Sequence, residues 1–119
     1  MGSIQFFEAK TRKFLEVDEG VRICREVTEG FSEHIACSVC EFENCHMEWT
    51  VNYDEYLYCI DGALTLETEE GDFSLHPGDG IWLPNGTWLI YKAGKKATCL
   101  AAVYPANWHD LRREQQTAG

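Results

Sequence analysis

Basic residues are few in this 119-residue chain: ten Lys and Arg stand against twenty Asp and Glu, for a net charge of −10. Binding to a nucleic-acid backbone relies on Lys and Arg to neutralise phosphates, so no nucleic-acid partner is expected. Long apolar runs are also lacking. None approaches the roughly 18 residues of a membrane span, so no membrane association is expected. No signal-peptide pattern opens the chain. Met1-Gly2 hints at acylation, but Phe6 stands where Ser or Thr is needed. With no export signal and no linker, repeat or low-complexity stretch, the expectation is one domain over residues 1–119 in the cytoplasm.

What is present fits a folded domain. Hydrophobic residues make up 45% and charged residues 25% of the chain, values typical of globular proteins. The six cysteines are Cys24, Cys37, Cys40, Cys45, Cys59 and Cys99. Several fall in strand-like segments, where a thiol behaves as a small hydrophobe, so a reduced protein is expected. Cys37-x-x-Cys40 has the spacing of a zinc knuckle. On a strand, residues three apart point to opposite faces, which argues against that reading.

Turn residues divide the chain into short strands. Val21 to Val27, His34 to Phe42, Ala63 to Glu67, Phe73 to Leu75, Ile81 to Leu83, Thr87 to Tyr91 and Ala97 to Tyr104 read as strands. Pro77-Gly78 has the type II turn signature, with Pro presetting φ and Gly taking it positive. His109 to Gln116 is polar and reads as a short C-terminal helix or tail. Many short strands with turns between them predict an all-β sandwich or barrel.

The chain is organised around residues 48–62. Met47, Trp49 and Val51 alternate with Glu48, Thr50 and Asn52, so one face is large and apolar while the other is polar. Glu55 to Ile60 is a second strand, and Asp61-Gly62 carries a hairpin signal.

These residues resemble the two motifs of the cupin family. Glu55, six residues and Gly62 fit the end of the first; Gly78, five residues and Pro84-x-Gly86 fit the start of the second. The resemblance covers about residues 45–105 and implies an RmlC-like jelly-roll β-barrel. Trp49-Thr50-Val51-Asn52-Tyr53-Asp54-Glu55 and Tyr104-Pro105-Ala106-Asn107-Trp108 further resemble the cupin domain of EutQ-type ethanolamine-utilisation proteins. Cupins commonly pair through their sheets, so a homodimer is expected.

Metal-binding cupins use three His and one Glu. With a four-residue gap before Glu55, the two first-motif His positions fall on Glu48 and Thr50, and the second-motif His falls on Leu89. Only Glu55 remains as a ligand. Such a donor set suits iron, copper or zinc poorly, so no cofactor is expected. A divalent ion, if bound, would rest on Glu48 and Glu55.

The same frame turns Glu48, Thr50, Glu55, Leu57, Leu89 and Tyr91 into the barrel, with Trp49, Trp82 and Trp88 facing away. Glu55 and Glu48 are then the candidate acid–base or ligand-binding pair, and Thr50, Leu57, Leu89 and Tyr91 are the candidate ligand-binding wall. Repulsion between the two carboxylates would keep one partly protonated. His46 is an outside candidate for the cavity mouth. Three readings stand: a metal-free module binding a small polar metabolite, an acetate-kinase-like phosphotransferase as the EutQ resemblance implies, and a metal-dependent cupin enzyme. The chain shows no phosphate-binding glycine loop, which weighs against the second.

Overall fold

The computed structural model describes residues 2–30 and 32–108. A 3-10 turn at Ala9–Thr11 precedes ten strands. These are β1 (Leu15–Asp18), β2 (Val21–Val27), β3 (Ala36–Phe42), β4 (Cys45–Thr50), β5 (Asp54–Asp61), β6 (Leu64–Thr68), β7 (Gly71–Leu75), β8 (Gly80–Leu83), β9 (Trp88–Ala93) and β10 (Ala97–Tyr104). The proposed terminal helix or tail beyond Trp108 lies outside the described residues. No helix among the described residues is long and apolar enough to cross a bilayer.

The strands form two antiparallel sheets. The larger runs β1-β2-β3-β10-β5-β8 and the smaller β4-β9-β6-β7. Alternation along each strand decides which residues meet between them. On β5, Glu55, Leu57 and Cys59 are buried while Tyr56, Tyr58 and Ile60 are exposed. On β9, Leu89, Tyr91 and Ala93 are buried. Leu57, Leu64, Leu66 and Leu89 are fully enclosed, each contributing roughly 1.5–3 kcal/mol by leaving water. All six cysteines are free, and Cys59 and Cys99 sit opposite each other in the core.

The segment at residues 48–62 crosses between the sheets twice. Strand β4 belongs to the smaller sheet and β5 to the larger. The corner between them is tied to the turn before β9: Val51 N–H donates to the Thr87 carbonyl (2.9 Å) and Gly86 N–H to the Val51 carbonyl (2.8 Å). Asn85 N–H donates to Asp54 Oδ1 (3.0 Å). Asp61-Gly62 is a second crossing rather than the expected hairpin, because β5 and β6 lie in different sheets. The turn at His76 closes as expected, with Asp79 N–H donating to the His76 carbonyl (2.9 Å) and Gly78 at φ 96°.

Gly62 and Gly86 both adopt positive φ, 78° and 96°. They differ in their surroundings. A Cβ at Gly62 would run into the Lys96 carbonyl oxygen and lie 2.9 Å from Ala97 Cα, whereas one at Gly86 would meet nothing within 4 Å. Gly86→Ala should therefore cost only the left-handed strain, about 1–2 kcal/mol. Gly62→Ala adds a backbone collision and should cost about 3 kcal/mol or more. Paired thermal denaturation curves check the order; equal losses would show that the close approach at Gly62 relaxes freely.

Candidate functional site

One cavity of about 320 Å³ opens between the sheets. The larger sheet supplies its floor through the inward residues of β2, β3, β10 and β5. Small side chains at Ala36, Ser38 and Ala101 leave the space unfilled. The opposite wall is aromatic, with Trp49, Tyr53, Tyr91 and Trp108. Tyr53 packs on Trp108 with ring centroids 4.6 Å apart, and Tyr91 stacks on Phe42 at 5.5 Å.

Glu55 is the one buried charged residue among those described, only 4% exposed, and it lines this cavity. Its place follows from β5 alternation, which turns it inward with Leu57. Tyr53, just before β5, hydrogen-bonds the Glu55 carboxylate. The Trp49 indole N–H donates in turn to the Tyr53 hydroxyl oxygen (3.1 Å). Tyr53 is fixed because the 51–54 corner is bonded to the 84–87 turn. Burial pushes the Glu55 carboxyl from its ordinary 4.5 up to about 7, and the Tyr53 hydrogen bond only partly offsets this. Burial also raises the Tyr91 phenol, with the neighbouring Glu55 adding to the effect. The Cys40 thiol is pushed to about 12 by burial and by Glu55, with Arg25 opposing. Cys40 thus remains a thiol at neutral pH, and Glu55 is the group able to exchange a proton there.

The structure brings together only part of the expected set. Glu55, Leu57 and Tyr91 line the cavity. Leu89 faces inward but belongs to the packed core and does not reach the cavity. Glu48 and Thr50 are exposed on the outer face of β4, where Glu48 Oε1 accepts from the Trp88 indole (2.8 Å). No pair of facing carboxylates therefore forms. The inward face of β4 is the apolar one, with Met47 and Trp49 on the cavity wall, so Trp49 does not point away as expected. Trp82 does, at 58% exposure. His46 is exposed beside Glu48 and is absent from the mouth.

The physical reason is burial: a strand turns its apolar face to the core. The cupin spacing accepts this once the gap before Glu55 is three residues. The first-motif positions then become Trp49 and Val51, both turned inward. With Leu89 as the third, the positions that carry imidazoles in metal-binding cupins hold an indole and two aliphatic chains. Those side chains offer no donor for a metal, so the usual cupin metal does not fit. Among the described residues no group of three His, Cys, Asp or Glu comes together to hold an ion.

Sequence reasoning missed Tyr53, Trp49, Trp108, Arg25 and Ser38 as wall residues. The apolar alternation at Met47, Trp49 and Val51 was the signal for one of them.

Two facing antiparallel sheets, six strands against four, with a cavity between them, define a small cupin barrel. Residues 1–110 match the family described as ethanolamine utilisation protein EutQ, and the chain belongs to that family. A protein named acetate kinase EutQ from Clostridioides difficile is 31% identical over 77 residues, covering 65% of this chain and 49% of that protein. The Escherichia coli protein of the same name is 25% identical over 114 residues, covering 92% and 49%. The chain thus spans about half the length of these curated relatives. Among solved structures, the Clostridium difficile EutQ protein superposes with a TM-score of 0.70 at 30% identity, over 74% of this chain and 64% of that one. The polyketide cyclase RemF of Streptomyces resistomycificus shares the fold alone, with a TM-score of 0.78 at 12% identity over 86% and 80%.

The sign of the Glu55 effect gives a stability test. The carboxyl is raised in the folded state, so its neutral form favours folding. That contribution is fully present below about pH 4.5 and is lost as the pH rises through about 7. The shift corresponds to on the order of 3 kcal/mol. Glu55→Gln should match the wild-type protein near pH 4.5 and exceed it at pH 8, with the gap opening between. Denaturant unfolding across that range checks it, and a pH-independent difference would mean that Glu55 is ionised throughout.

Proposed function

We propose that this EutQ-family cupin binds a small polar metabolite in the barrel cavity, anchored by Glu55 and Tyr53, in ethanolamine or acetate metabolism. The observation that carries the reading is a single buried acid, linked to Tyr53, in a largely apolar cavity of about 320 Å³. Ligand sites have this character: apolar walls with a few convergent polar groups. A buried acid with no ion pair among the described residues lowers stability, and such groups concentrate at functional sites. The metabolic setting rests on the names of the family and of its curated relatives.

Titration calorimetry with ethanolamine, acetate and a panel of small amines and carboxylates tests the reading. At least one should bind, and Glu55→Gln should weaken it about tenfold while leaving the fold intact. An unchanged affinity in the variant removes Glu55 from the site.

The kinase name of the relatives supports a second reading, transfer of the γ-phosphoryl group of ATP to an acetate oxygen, giving ADP and acetyl phosphate. Such transfer relies on clustered positive charge or a metal, and Arg25 is the only Lys or Arg on the cavity wall among the described residues. Acetate-dependent ADP release above the protein-free rate, lost in Glu55→Gln, would put this reading first.

The same protein is proposed to form a homodimer through the outer face of the larger sheet. Tyr56, Tyr58, Trp82, Leu100 and Tyr104 are exposed there on the adjacent strands β10, β5 and β8, and a patch of this kind favours association. Light scattering should give twice the chain mass, and Trp82→Glu should return a monomer. A wild-type monomer at micromolar concentration would remove the dimer.

A further inference from the structure

The register of the larger sheet fixes what stands across the cavity from Glu55. Arg25 on β2 pairs directly with Ser38 on β3, Ser38 with Ala101 on β10, and Ala101 with Leu57 on β5. All four side chains line the cavity. Glu55 lies in the neighbouring row, opposite Val103. Three strand spacings separate β2 from β5, about 14 Å between backbones. Arg25 is exposed and Glu55 buried, so the cavity runs from a wet, cationic mouth to an enclosed acid.

Among the described Lys and Arg residues, Arg25, Lys13 and Lys95 form no ion pair, and of these three only Arg25 lines the cavity. Lys10, Arg12, Arg22, Lys92 and Lys96 each form an ion pair with a Glu. Arg25 forms none among the described residues. Its guanidinium and the Ser38 hydroxyl offer donors at one spot on the wall, the arrangement that receives a planar oxyanion. Glu29 also borders the mouth and makes no ion pair with Arg25. One guanidinium balances one negative charge. Beside Glu29, in a chain of net charge −10, a monoanion is favoured over a dianionic phosphate. Between the two ends, Ala36 and Ala101 leave room, and Trp49, Tyr53 and Trp108 offer ring faces.

We propose that the cavity selects a small monocarboxylate with an aromatic or apolar body, its carboxylate held at the mouth by Arg25 and Ser38 and its far end reaching Glu55 and Tyr53. This assignment rests on the cavity being the ligand site. Glu48 lies on the outer face of β4 and takes no part.

Three probes sharing one phenol body separate the possibilities: 4-hydroxyphenylacetate, 4-ethylphenol and tyramine, measured by titration calorimetry at pH 7.5. The carboxylate should bind most tightly and the amine most weakly. Arg25→Gln should weaken the carboxylate about tenfold while leaving 4-ethylphenol within twofold, which also shows that the variant is folded. Glu29→Gln should tighten the carboxylate. If tyramine binds as tightly as the carboxylate, or Arg25→Gln leaves the carboxylate unchanged, the assignment to monocarboxylates is overturned and the cavity remains a ligand site. If none of the three binds the wild-type protein, this assignment is overturned, and the ligand-site reading falls with it only if the panel of small amines and carboxylates also fails to bind.

Discussion

Strand β10 is hydrogen-bonded along both edges, to β3 from Ala97 to Val103 and to β5 from Thr98 to Tyr104. The floor of the cavity depends on that double pairing. A side-chain period of two means that a slip of one residue would turn Ala101 and Val103 outward and bring Leu100 and Ala102 in. Ala101 links the row of Arg25 and Ser38 to Leu57, and Val103 links Ala36 to Glu55. The positions of the mouth cation and the buried acid relative to each other are thus a consequence of β10 register. The small residues Ala36, Ser38 and Ala101 then convert that register into volume. Larger side chains there would close the cavity into ordinary core.

The second constraint acts on the other sheet. Strand β4 ends at a corner that the Pro84–Thr87 turn grips through two backbone hydrogen bonds and the Asp54 side chain. That grip sets Tyr53 between Trp49 and Glu55, so the phenol bridges an indole N–H and a carboxyl group. Without the phenol the acid would lose the interaction that offsets part of its desolvation. Proline and glycine at the turn therefore act on the site at a distance, by fixing the backbone that carries its polar residues.

The strands from β2 onward, the turn at Pro77-Gly78, the Pro84-x-Gly86 turn and the inward placement of Glu55, Leu57 and Tyr91 were legible in the sequence. Turn chemistry and period-2 alternation are local properties, and local reasoning recovers them. The orientation of β4 was also written locally, in the contrast between Met47-Trp49-Val51 and Glu48-Thr50-Asn52. Motif spacing overrode it. A gap that can be three or four residues leaves the facing of the strand undetermined, and only burial decides. Arg25, Ser38 and Trp108 were not legible, because their membership of the wall depends on pairing between segments far apart in the chain. Asp61-Gly62 misled for a related reason. A positive-φ glycine marks a reversal of the chain, but does not say whether the reversal stays within one sheet.

The positions that carry imidazoles in metal-binding cupins hold apolar side chains in this barrel. Imidazoles converging with a carboxylate would supply a charged, polar centre. Here Trp49 lines the cavity, while Val51 and Leu89 are buried in the core. The Glu55 carboxyl rises toward neutrality because it is buried. A group that changes charge near pH 7 in an apolar enclosure accepts a hydrogen bond when ionised and donates one when neutral. The cavity thus carries one buried acid with its phenol at the enclosed end and one guanidinium at the open end. Aromatic side chains line the wall between them.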